Sequence, residues 1–383
     1  ADKGTKSQFG ESVAVSADGS TAIVGDWAAD DAEGTAYVFE RDSGWSQQAT
    51  LTSDDGSELD NFGRSVAVSG DGSIALLGAR GDDEPNGDEG GSAYIFERTG
   101  DGWEQRSKIA AKNGTPSANF GRTVAQSGDG NTVLVGSGSF SRVGAVHVFE
   151  ETDVGWVQSN KLPTPDDDSK DNFAFSVAVS DDGSTALVGA HGDDDPNGEM
   201  GGSAYVFEES DGTLVQVAKL AVPDGGEYSR FGISVAVADG GTKALVGTGG
   251  GDRSAYIFDR TGDGWSFEAT LSTDDPEELE NAIPAASVAM AGDGTIAFVG
   301  TPPRESDAAE SIGTLTGSVS VYEETGNGWT RRAKIAPEDV DARDLFGWPL
   351  SVSDDGTTAV VGAPGASDTI GVRAGSAYVL ELE

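Results

Sequence analysis

Short runs of apolar residues recur along the whole chain and are separated by turns that contain glycine. A typical unit starts with Val13 to Ser16, continues after a turn with Thr21 to Gly25, and then has the run Ala36 to Phe39. The β-branched and aromatic residues of these runs suit pleated, half-buried strands. The pattern therefore predicts an all-β protein.

An Asp-Gly dipeptide follows the first apolar run of each unit. Such a dipeptide between two apolar runs predicts a two-residue type I′ hairpin turn, in which both central residues need positive φ. The recurrence at intervals of 53 to 62 residues indicates seven copies of one repeat. The seven dipeptides begin at Asp18, Asp71, Asp129, Asp182, Asp239, Asp293 and Asp355.

A fourth run completes the unit and starts near a tryptophan in five of the copies. These residues are Trp45, Trp103, Trp156, Trp265 and Trp329, and Leu214 takes their place in the fourth copy. Four short strands repeated seven times predict one seven-bladed β-propeller of four-stranded antiparallel blades over residues 1–383. The repeats cover approximately residues 9–52, 62–110, 120–162, 173–220, 231–271, 283–335 and 346–383.

A Phe-Gly pair precedes the first strand in five copies, and Gly362-Ala363-Pro364 ends a second strand. The pairs begin at Phe9, Phe62, Phe120, Phe231 and Phe346; the fourth copy has Phe173-Ala174, and the sixth has Ile283-Pro284-Ala285 instead. With these motifs the chain resembles the FG-GAP repeat family, whose propeller also occurs in integrin α subunits, and in particular its short-loop version in prokaryotic surface proteins. The resemblance implies a secreted or surface-exposed protein used in adhesion or recognition.

The integrin calcium sites do not carry over by this resemblance. They lie in an Asp-rich loop between the first two strands, which is reduced here to the Asp-Gly turn. That turn is too short to surround a cation that takes 6–8 oxygen ligands.

The last unit ends at Glu383, directly after its third strand, so the seventh blade lacks its outer strand in this chain. We expect residues upstream of Ala1 to supply that strand, because a completed blade has no exposed edge. The alternative is a three-stranded last blade with an open edge.

Charge narrows the range of partners. The chain has 66 acidic and 24 basic residues, nine of them Lys, and a net charge of −42. Screening by concentrated salt relieves such self-repulsion, so the composition indicates a halophilic organism. The negative charge disfavours nucleic acid and anionic membrane surfaces as partners. Membrane insertion is not expected, because no apolar run reaches 18 residues.

Two loops between the second and third strands are near copies and are candidate calcium sites, because carboxylate and amide oxygens suit a hard cation. The alternative is a turn whose acidic groups are simply solvated. With the other acidic loops, they predict a negative face that favours cations or neutral ligands such as sugars over anions. The candidate ligands are Asp82, Asp83, Asn86 and Asp88 in one loop, and Asp193, Asp194, Asn197 and Glu199 in the other.

Ligand binding is expected on the same face, because loops that follow rigid strands often carry binding residues. Aromatic rings with polar neighbours suit sugar rings, although Trp27 and Trp348 equally suit the filling of gaps between blades. The candidate residues are Trp27, Arg80 and His191 at one variable repeat position, together with Phe140, Tyr228, Arg304 and Trp348.

These observations predict a non-catalytic recognition or adhesion module of the cell surface or cell exterior that binds a glycan or a surface protein. The first alternative is a sialidase- or lyase-like carbohydrate-active enzyme, which needs paired carboxylates or a Tyr/Glu pair with an arginine cluster in the central funnel. The second is a structural component of a cell-surface assembly, joined through an open blade edge.

Overall fold

The computed structural model describes residues 7–139, 142–164, 168–223, 225–250, 254–262, 264–272, 287–302, 317–340, 343–367 and 374–382. Within these residues the strands form seven antiparallel sheets. Six sheets have four strands and the seventh has three, always in chain order. The predicted seven-bladed propeller with a three-stranded last blade is confirmed.

The strands of each blade are named a to d in chain order. Blade 1 contains β1 (Ser12–Val15), β2 (Thr21–Asp26), β3 (Thr35–Arg41) and β4 (Trp45–Leu51). Blade 2 contains β5 (Phe62–Val68), β6 (Ile74–Ala79), β7 (Ser92–Thr99) and β8 (Gly102–Ile109). Blade 3 contains β9 (Thr123–Gln126), β10 (Thr132–Ser139), β11 (Arg142–Thr152) and β12 (Gly155–Leu162). Blade 4 contains β13 (Ser176–Val179), β14 (Thr185–Ala190), β15 (Ser203–Ser210) and β16 (Thr213–Leu220).

Blade 5 contains β17 (Phe231–Val237), β18 (Lys243–Thr248), β19 (Ser254–Thr261) and β20 (Gly264–Ser272). Blade 6 contains β21 (Ser287–Met290), β22 (Ile296–Thr301), β23 (Ser318–Thr325) and β24 (Gly328–Ile335). Blade 7 contains β25 (Leu350–Val352), β26 (Thr358–Ala363) and β27 (Ser376–Glu381). The described helical segments are two single turns, α1 (Ala29–Ala32) and a 3₁₀ turn at Ser169–Asp171.

The a–b turns differ from the predicted type I′ geometry. In the a–b turn of blade 1 only Gly19 has positive φ (65°), and the Ser16 amide donates to the Thr21 carbonyl across a four-residue connection. Asp18 instead accepts hydrogen bonds from the Ser16 hydroxyl and the Ser20 amide, which hold the turn closed. The type I′ prediction was therefore wrong, because this longer turn needs positive φ at one position only.

The fifth repeat also departs from the predicted alignment. There the positive-φ glycine is Gly241 (61°), whose amide donates to the Ala238 carbonyl. The turn glycine is thus one residue later than the Asp239-Gly240 pair, and Asp239 occupies the position of Ala17 in blade 1.

A closed ring of seven backbone hydrogen bonds joins the blades at the a–b turns. In each blade the first turn residue donates its N–H to the carbonyl of its counterpart in a neighbouring blade, with N···O distances of 2.8 to 3.2 Å. The bond from Asp354 to Ala17 (2.9 Å) links the last blade directly to the first. The ring runs through Ala17, Gly70, Gly128, Asp181, Asp239, Gly292 and Asp354.

Three of the ring residues are acidic. Burial and the negative charges of Asp354 and Asp181 raise the pKa of Asp239 from 3.8 to about 6. Burial and the charge of Asp181 also raise the pKa of Asp354. Since the Asp239 carboxyl is mostly ionised at neutral pH, its repulsion by the neighbouring acidic groups opposes ring closure.

We expect Asp239→Asn to stabilise the protein in dilute buffer at pH 7.5, by about 1 kcal/mol after allowance for solvent screening. The folded-state pKa lies above the unfolded one, so the ionised carboxyl destabilises the fold as pH rises from about 4 to 6. Chemical denaturation should show the gain shrinking below pH 4 and in 2 M NaCl. Asp101→Asn, on an exposed c–d turn, is the control, and a gain at pH 4 equal to that at pH 7.5 would contradict the repulsion argument.

The core lies between neighbouring blades. Phe62 is fully buried and packs edge-on against Tyr94 (5.3 Å between ring centroids) and Phe96 (6.0 Å) of its own blade. It belongs to one apolar cluster with blade 1 residues that include Ile23 and Val38. The Phe-Gly motif therefore joins consecutive blades, and its glycine has positive φ at Gly63 (76°).

The third strand of blade 7 is a sheet edge in the described structure. The first five residues of β27 are half-buried, whereas those of the equivalent strands β7 and β15, which have a fourth strand beside them, are buried. At the junction with blade 1, the Ser7 hydroxyl donates to the Ala374 carbonyl (2.8 Å), and Phe9 bridges to Gly375. The prediction that residues upstream of Ala1 complete this blade stays a prediction.

Candidate binding site at the mouth of the channel

Antiparallel pairing places the a–b and c–d turns at one end of every sheet and the b–c and d–a loops at the other. We call these ends the turn face and the loop face. The first strands of neighbouring blades contact one another, for example β1 with β5 and with β25, so the first strands surround the propeller axis. Residues just before a first strand or just after a second strand therefore lie at the inner mouth of the loop face.

Arg64 lies at this mouth on an irregular part of β5, where the register shifts between Phe62 and Ser65. Such bulges redirect side chains. Its Nη1 lies 2.8 Å from Glu11 Oε1, and its guanidinium carbon is 5.1 Å from the centre of the Trp27 ring. Blade 1 thus supplies an acidic and an aromatic neighbour for an arginine of blade 2.

A similar stack continues across blades 3 and 4. The guanidinium carbon of Arg122 is 4.8 Å from the centre of the Phe175 ring, and that ring is 4.2 Å from the His191 ring. The two rings meet edge to face at 68°. Arg122 also donates from Nη1 to the Gly138 carbonyl (3.4 Å).

Arg80 joins the two stacks electrostatically. Burial and the positive charge of Arg64 lower the pKa of Arg80, while Glu89 and Glu11 act in the opposite direction. Burial, followed by the charges of Arg80 and Arg64, lowers the pKa of Arg122 to about 10. Three guanidinium groups that repel one another are therefore gathered at one end of the axis.

The neighbouring titratable groups respond to the same surroundings. Burial, with the charges of Arg122 and Arg230, lowers the pKa of His191 to about 4, so this imidazole is neutral at pH 7. Burial raises the pKa of Glu11, although Arg64 and Arg80 lower it. The set formed by Glu11, Trp27, Arg64, Arg80, Arg122, Phe175 and His191 is called the arginine mouth below.

The arginine mouth contains three residues predicted as ligand contacts, Trp27, Arg80 and His191, and four that sequence reasoning missed. The missed residues directly follow the Phe-Gly or Phe-Ala pair, a position that varies between repeats and also holds Trp348. Three arginines nevertheless lie at the centre of the loop face that was expected to be negative, because two arginines of the second repeat and one of the third come together at the axis. The missed residues are Glu11, Arg64, Arg122 and Phe175.

The other predicted ligand residues are more scattered. Trp348 is half-buried at the repeat position that Arg64 occupies in blade 2. Tyr228 is 46% exposed in the loop before blade 5, and its hydroxyl donates to Glu199 Oε2 (2.5 Å). Phe140 and Arg304 lie outside the described residues.

In the first predicted calcium loop, the side chains of Asp82 and Asp83 are engaged in hydrogen bonds and an ion pair within the protein. Asp82 is 4% exposed, and its Oδ2 accepts from the Tyr94 hydroxyl (2.7 Å) and pairs with Lys108 Nζ (2.7 Å). Asp83 accepts from the Glu89 amide (2.9 Å). The Asn86 side chain donates to the Ala111 carbonyl (3.4 Å), whereas Asp88 is exposed and its backbone carbonyl accepts from Ser117.

The second loop repeats these contacts. Asp193 Oδ2 accepts from the Tyr205 hydroxyl (2.5 Å) and lies 2.9 Å from Lys219 Nζ. Asp194 accepts from the Met200 amide (2.8 Å), and Asn197 donates to the Val222 carbonyl (3.2 Å). Among the described residues, no group of three or more acidic or histidine side chains is arranged to hold a metal ion. Calcium binding by these loops stays a prediction.

A cavity of about 410 Å³ opens beside the first of these loops. It combines the Asp55 and Lys108 side chains with an apolar floor; Asp55 accepts a hydrogen bond from Lys108 (2.7 Å) and lies 2.9 Å from the Tyr94 hydroxyl. The lining residues are Asp55, Glu84, Pro85, Lys108, Ala110 and Ala111. Its polar groups bond to one another, so we place the candidate site at the arginine mouth instead.

Comparison with models of protein families identifies the repeat to which these motifs belong. The model of the FG-GAP repeat matches residues 1–39, 45–96, 103–149, 156–207, 214–258 and 329–380. The chain belongs to the FG-GAP repeat family. The matches leave out residues 259–328, which include most of the repeat without a Phe-Gly pair, and the five matches after the first begin at or near the fourth strand of a preceding blade. These five matched repeats of this FG-GAP protein therefore each contribute strands to two blades.

Solved structures agree with the propeller architecture of this FG-GAP protein. The β-propeller domain of Cps50 (Swd1) from Myceliophteria thermophila superposes with a TM-score of 0.63 at 12% sequence identity, covering 100% of this chain and 98% of that domain. At this identity the likeness concerns the fold alone. A comparison with curated protein sequences found no match. Among the described residues, no helix is long and apolar enough to cross a membrane.

Proposed function

We propose that this FG-GAP propeller is a non-catalytic recognition module of the cell surface or cell exterior, which binds a glycan or a surface protein through its loop face. Membership of the family and the propeller fold support a role in recognition or protein interaction. The observation that carries the proposal is the arginine mouth, where half-buried charged and aromatic side chains from four blades come together.

The contrast between the two faces supports this assignment. On the turn face the same hydrogen bond recurs, from a serine hydroxyl to the turn aspartate, as in Ser16 to Asp18 and Ser180 to Asp182. Repetition of one geometry is typical of scaffold. On the loop face the position after the Phe-Gly motif changes from glutamate to arginine, phenylalanine, isoleucine and tryptophan. Variation on a constant scaffold is typical of binding loops.

The proposal is tested by blocking one face at a time with a bulky polymer. The polymer can be coupled to a single introduced cysteine, because the chain has no cysteine of its own. Ser43→Cys, on the c–d turn of blade 1, and Asp88→Cys, on a loop of the loop face, each accept a 5 kDa polyethylene glycol maleimide. On a glycan array, and against purified surface-layer protein, we expect the turn-face conjugate to bind like the unlabelled protein. The loop-face conjugate should lose binding at least tenfold.

Equal binding by the two conjugates would place the partner surface elsewhere and overturn the proposal. Both conjugates must keep the melting temperature of the unlabelled protein. Release of free sugar during the assay would support the alternative of a carbohydrate-active enzyme. That alternative is favoured by one observation, the half-buried Glu11 carboxyl, whose pKa burial raises. Hydrolysis of this kind uses two carboxyl groups.

The acidity of the chain supports a further part of the proposal, namely that the protein works in concentrated salt. Its charge of −42 and the repulsion among the ring carboxyls are relieved by screening. The denaturation series with Asp239→Asn described above tests this part as well. A fold whose stability is the same in dilute buffer and in 2 M NaCl would contradict it.

A further inference from the structure

The clustering of arginines is unexpected in so acidic a chain. With 66 acidic and 24 basic residues, every arginine has many possible carboxylate partners. Arg64, Arg80 and Arg122 nevertheless lie together at the mouth, where Glu11, within the part of the chain that the structure describes, pairs with Arg64 alone (2.8 Å); the charge of Arg64 lowers the pKa of Arg80, and the charges of Arg80 and Arg64 lower the pKa of Arg122. An arrangement of like charges that opposes folding is typical of a functional site, because a bound counter-ion removes the repulsion.

Arg80 has unused hydrogen-bonding capacity. Among the described residues its guanidinium makes one hydrogen bond, from Nε to Asn61 Oδ1 (3.3 Å). The two terminal nitrogens have no protein partner there. A guanidinium group presents its donors in a planar fork that matches the two oxygens of a carboxylate.

The neighbours of the arginines suit a sugar. Trp27 and Phe175 place aromatic rings on two sides of the cluster, each with an arginine stacked on it. Among the described residues, Trp27 Nε1 and His191 Nδ1 are buried without a hydrogen-bond partner. Aromatic surface combined with a few polar groups is typical of sites for small ligands.

The charge of the whole molecule restricts the ligand further. A net charge of −42 repels anionic ligands at long range, and this repulsion grows with the charge of the ligand. It is therefore strong for a polyanion and weak for a ligand with a single carboxylate. The half-buried arginines, screened less than surface charges, act at short range. The two effects together favour a mostly neutral ligand that carries one anionic group.

We propose that the arginine mouth binds the carboxylate of an acidic sugar, with the guanidinium group of Arg80 as its main contact and Arg64 and Arg122 beside it. This inference rests on the proposed function and names the ligand class for the same face. The sugar ring lies against the aromatic side chains of the mouth, and its carboxylate offsets the repulsion between the arginines.

Isothermal titration calorimetry with two disaccharides tests this assignment. Cellobiouronic acid and cellobiose differ only in one carboxylate, so we expect the acid to bind at least tenfold more tightly. Arg80→Gln should lose at least tenfold of the affinity for the acid and leave the affinity for cellobiose unchanged. Arg80→Lys keeps the positive charge but lacks the planar guanidinium donors, so its affinity for the acid should lie between those of the unmodified protein and Arg80→Gln.

Arg106→Gln is the matched control, because Arg106 is an exposed arginine on β8 that pairs with Glu97, away from the mouth. It should bind the acid like the unmodified protein. Melting temperatures of the variants separate loss of binding from loss of fold. A short aspartate peptide serves as a third ligand and should bind at least tenfold more weakly than the acidic sugar.

Equal binding of the two disaccharides, equal binding of the peptide, or no binding of the acid at 10 mM would each overturn the assignment. The proposed function has its own test, since the two labelled conjugates report binding through the loop face whatever the ligand. A loop-face partner that binds independently of Arg80 would keep the proposed function and refute the acidic-sugar site.

Discussion

Gly189→Ala is expected to destabilise the protein by about 3 kcal/mol, because the added methyl has no space between blades 4 and 5. A Cβ at this position would lie 2.0 Å from the Gly232 carbonyl oxygen and 2.3 Å from Ser176 Oγ. Ser176 donates to that same carbonyl at 2.9 Å, so the contact cannot widen without loss of this hydrogen bond. Denaturant unfolding followed by tryptophan fluorescence measures the loss.

The matched control is Gly100→Ala, on the c–d turn of blade 2, where an added Cβ meets no atom within 4 Å. We expect this change to alter the free energy of unfolding by less than about 0.5 kcal/mol. Similar effects of the two substitutions would contradict the argument from blade packing. The same lack of space recurs at other blade junctions: a Cβ added at Gly25 would lie 2.1 Å from the Gly63 carbonyl oxygen, and one added at Gly362 would lie 2.0 Å from the Gly10 carbonyl oxygen, at the junction of blade 7 with blade 1.

Lys219→Met is expected to cost about 3 kcal/mol, because it leaves the Asp193 carboxylate buried without its cationic partner. The Asp193 side chain is 2% exposed, whereas that of Lys219 is 26% exposed, so the loss should lie near the lower end for buried ion pairs. Burial raises the pKa of Asp193, but hydrogen bonds from Tyr205 and Lys219 outweigh it and lower the pKa overall. The stabilisation is therefore present at neutral pH and is lost as the pH falls through this lowered value.

Two further variants test the cause. Arg106→Met removes the cation of an exposed pair, with 57% and 43% of the side chains accessible, and should cost less than about 0.5 kcal/mol. Combining Lys219→Met with Asp193→Asn should recover part of the lost stability, because the uncompensated charge disappears. Equal losses from Lys219→Met and Arg106→Met would contradict the argument, because the buried pair would then add no more stability than the exposed one.

Local patterns in the sequence determined the strands, their number and the propeller itself. Alternation of apolar residues and the recurring glycine turns act over five to ten residues, so they can be recognised without knowledge of distant contacts. The turn type was the exception. Asp18-Gly19 is compatible with a two-residue and a four-residue connection, and the hydrogen bonds of Ser16 selected the longer one.

The chemistry of the acidic loops depended on residues far along the chain. Sequence placed Asp82 and Asp193 in loops with other oxygen ligands, as a calcium site requires. Folding brought a tyrosine and a lysine of the third and fourth strands to each of these carboxylates, as at Asp193, where Tyr205 and Lys219 converge. The partners lie 12 and 26 residues later, and only sheet pairing aligns them with the loop.

The sequence predicted Trp27, Arg80 and His191 of the arginine mouth as ligand contacts, but the tertiary structure decided the rest of the mouth. Glu11, Arg64 and Arg122 are more than 50 residues apart from one to the next, and each belongs to a different repeat in which its neighbours predict only scaffold. Closure of the ring brings the same repeat position of successive blades to the axis, where their charges interact. Sequence by itself thus determined the repeating unit. The charge of the central mouth depends on side chains that differ from repeat to repeat, and only closure of the propeller brings these side chains together around the axis.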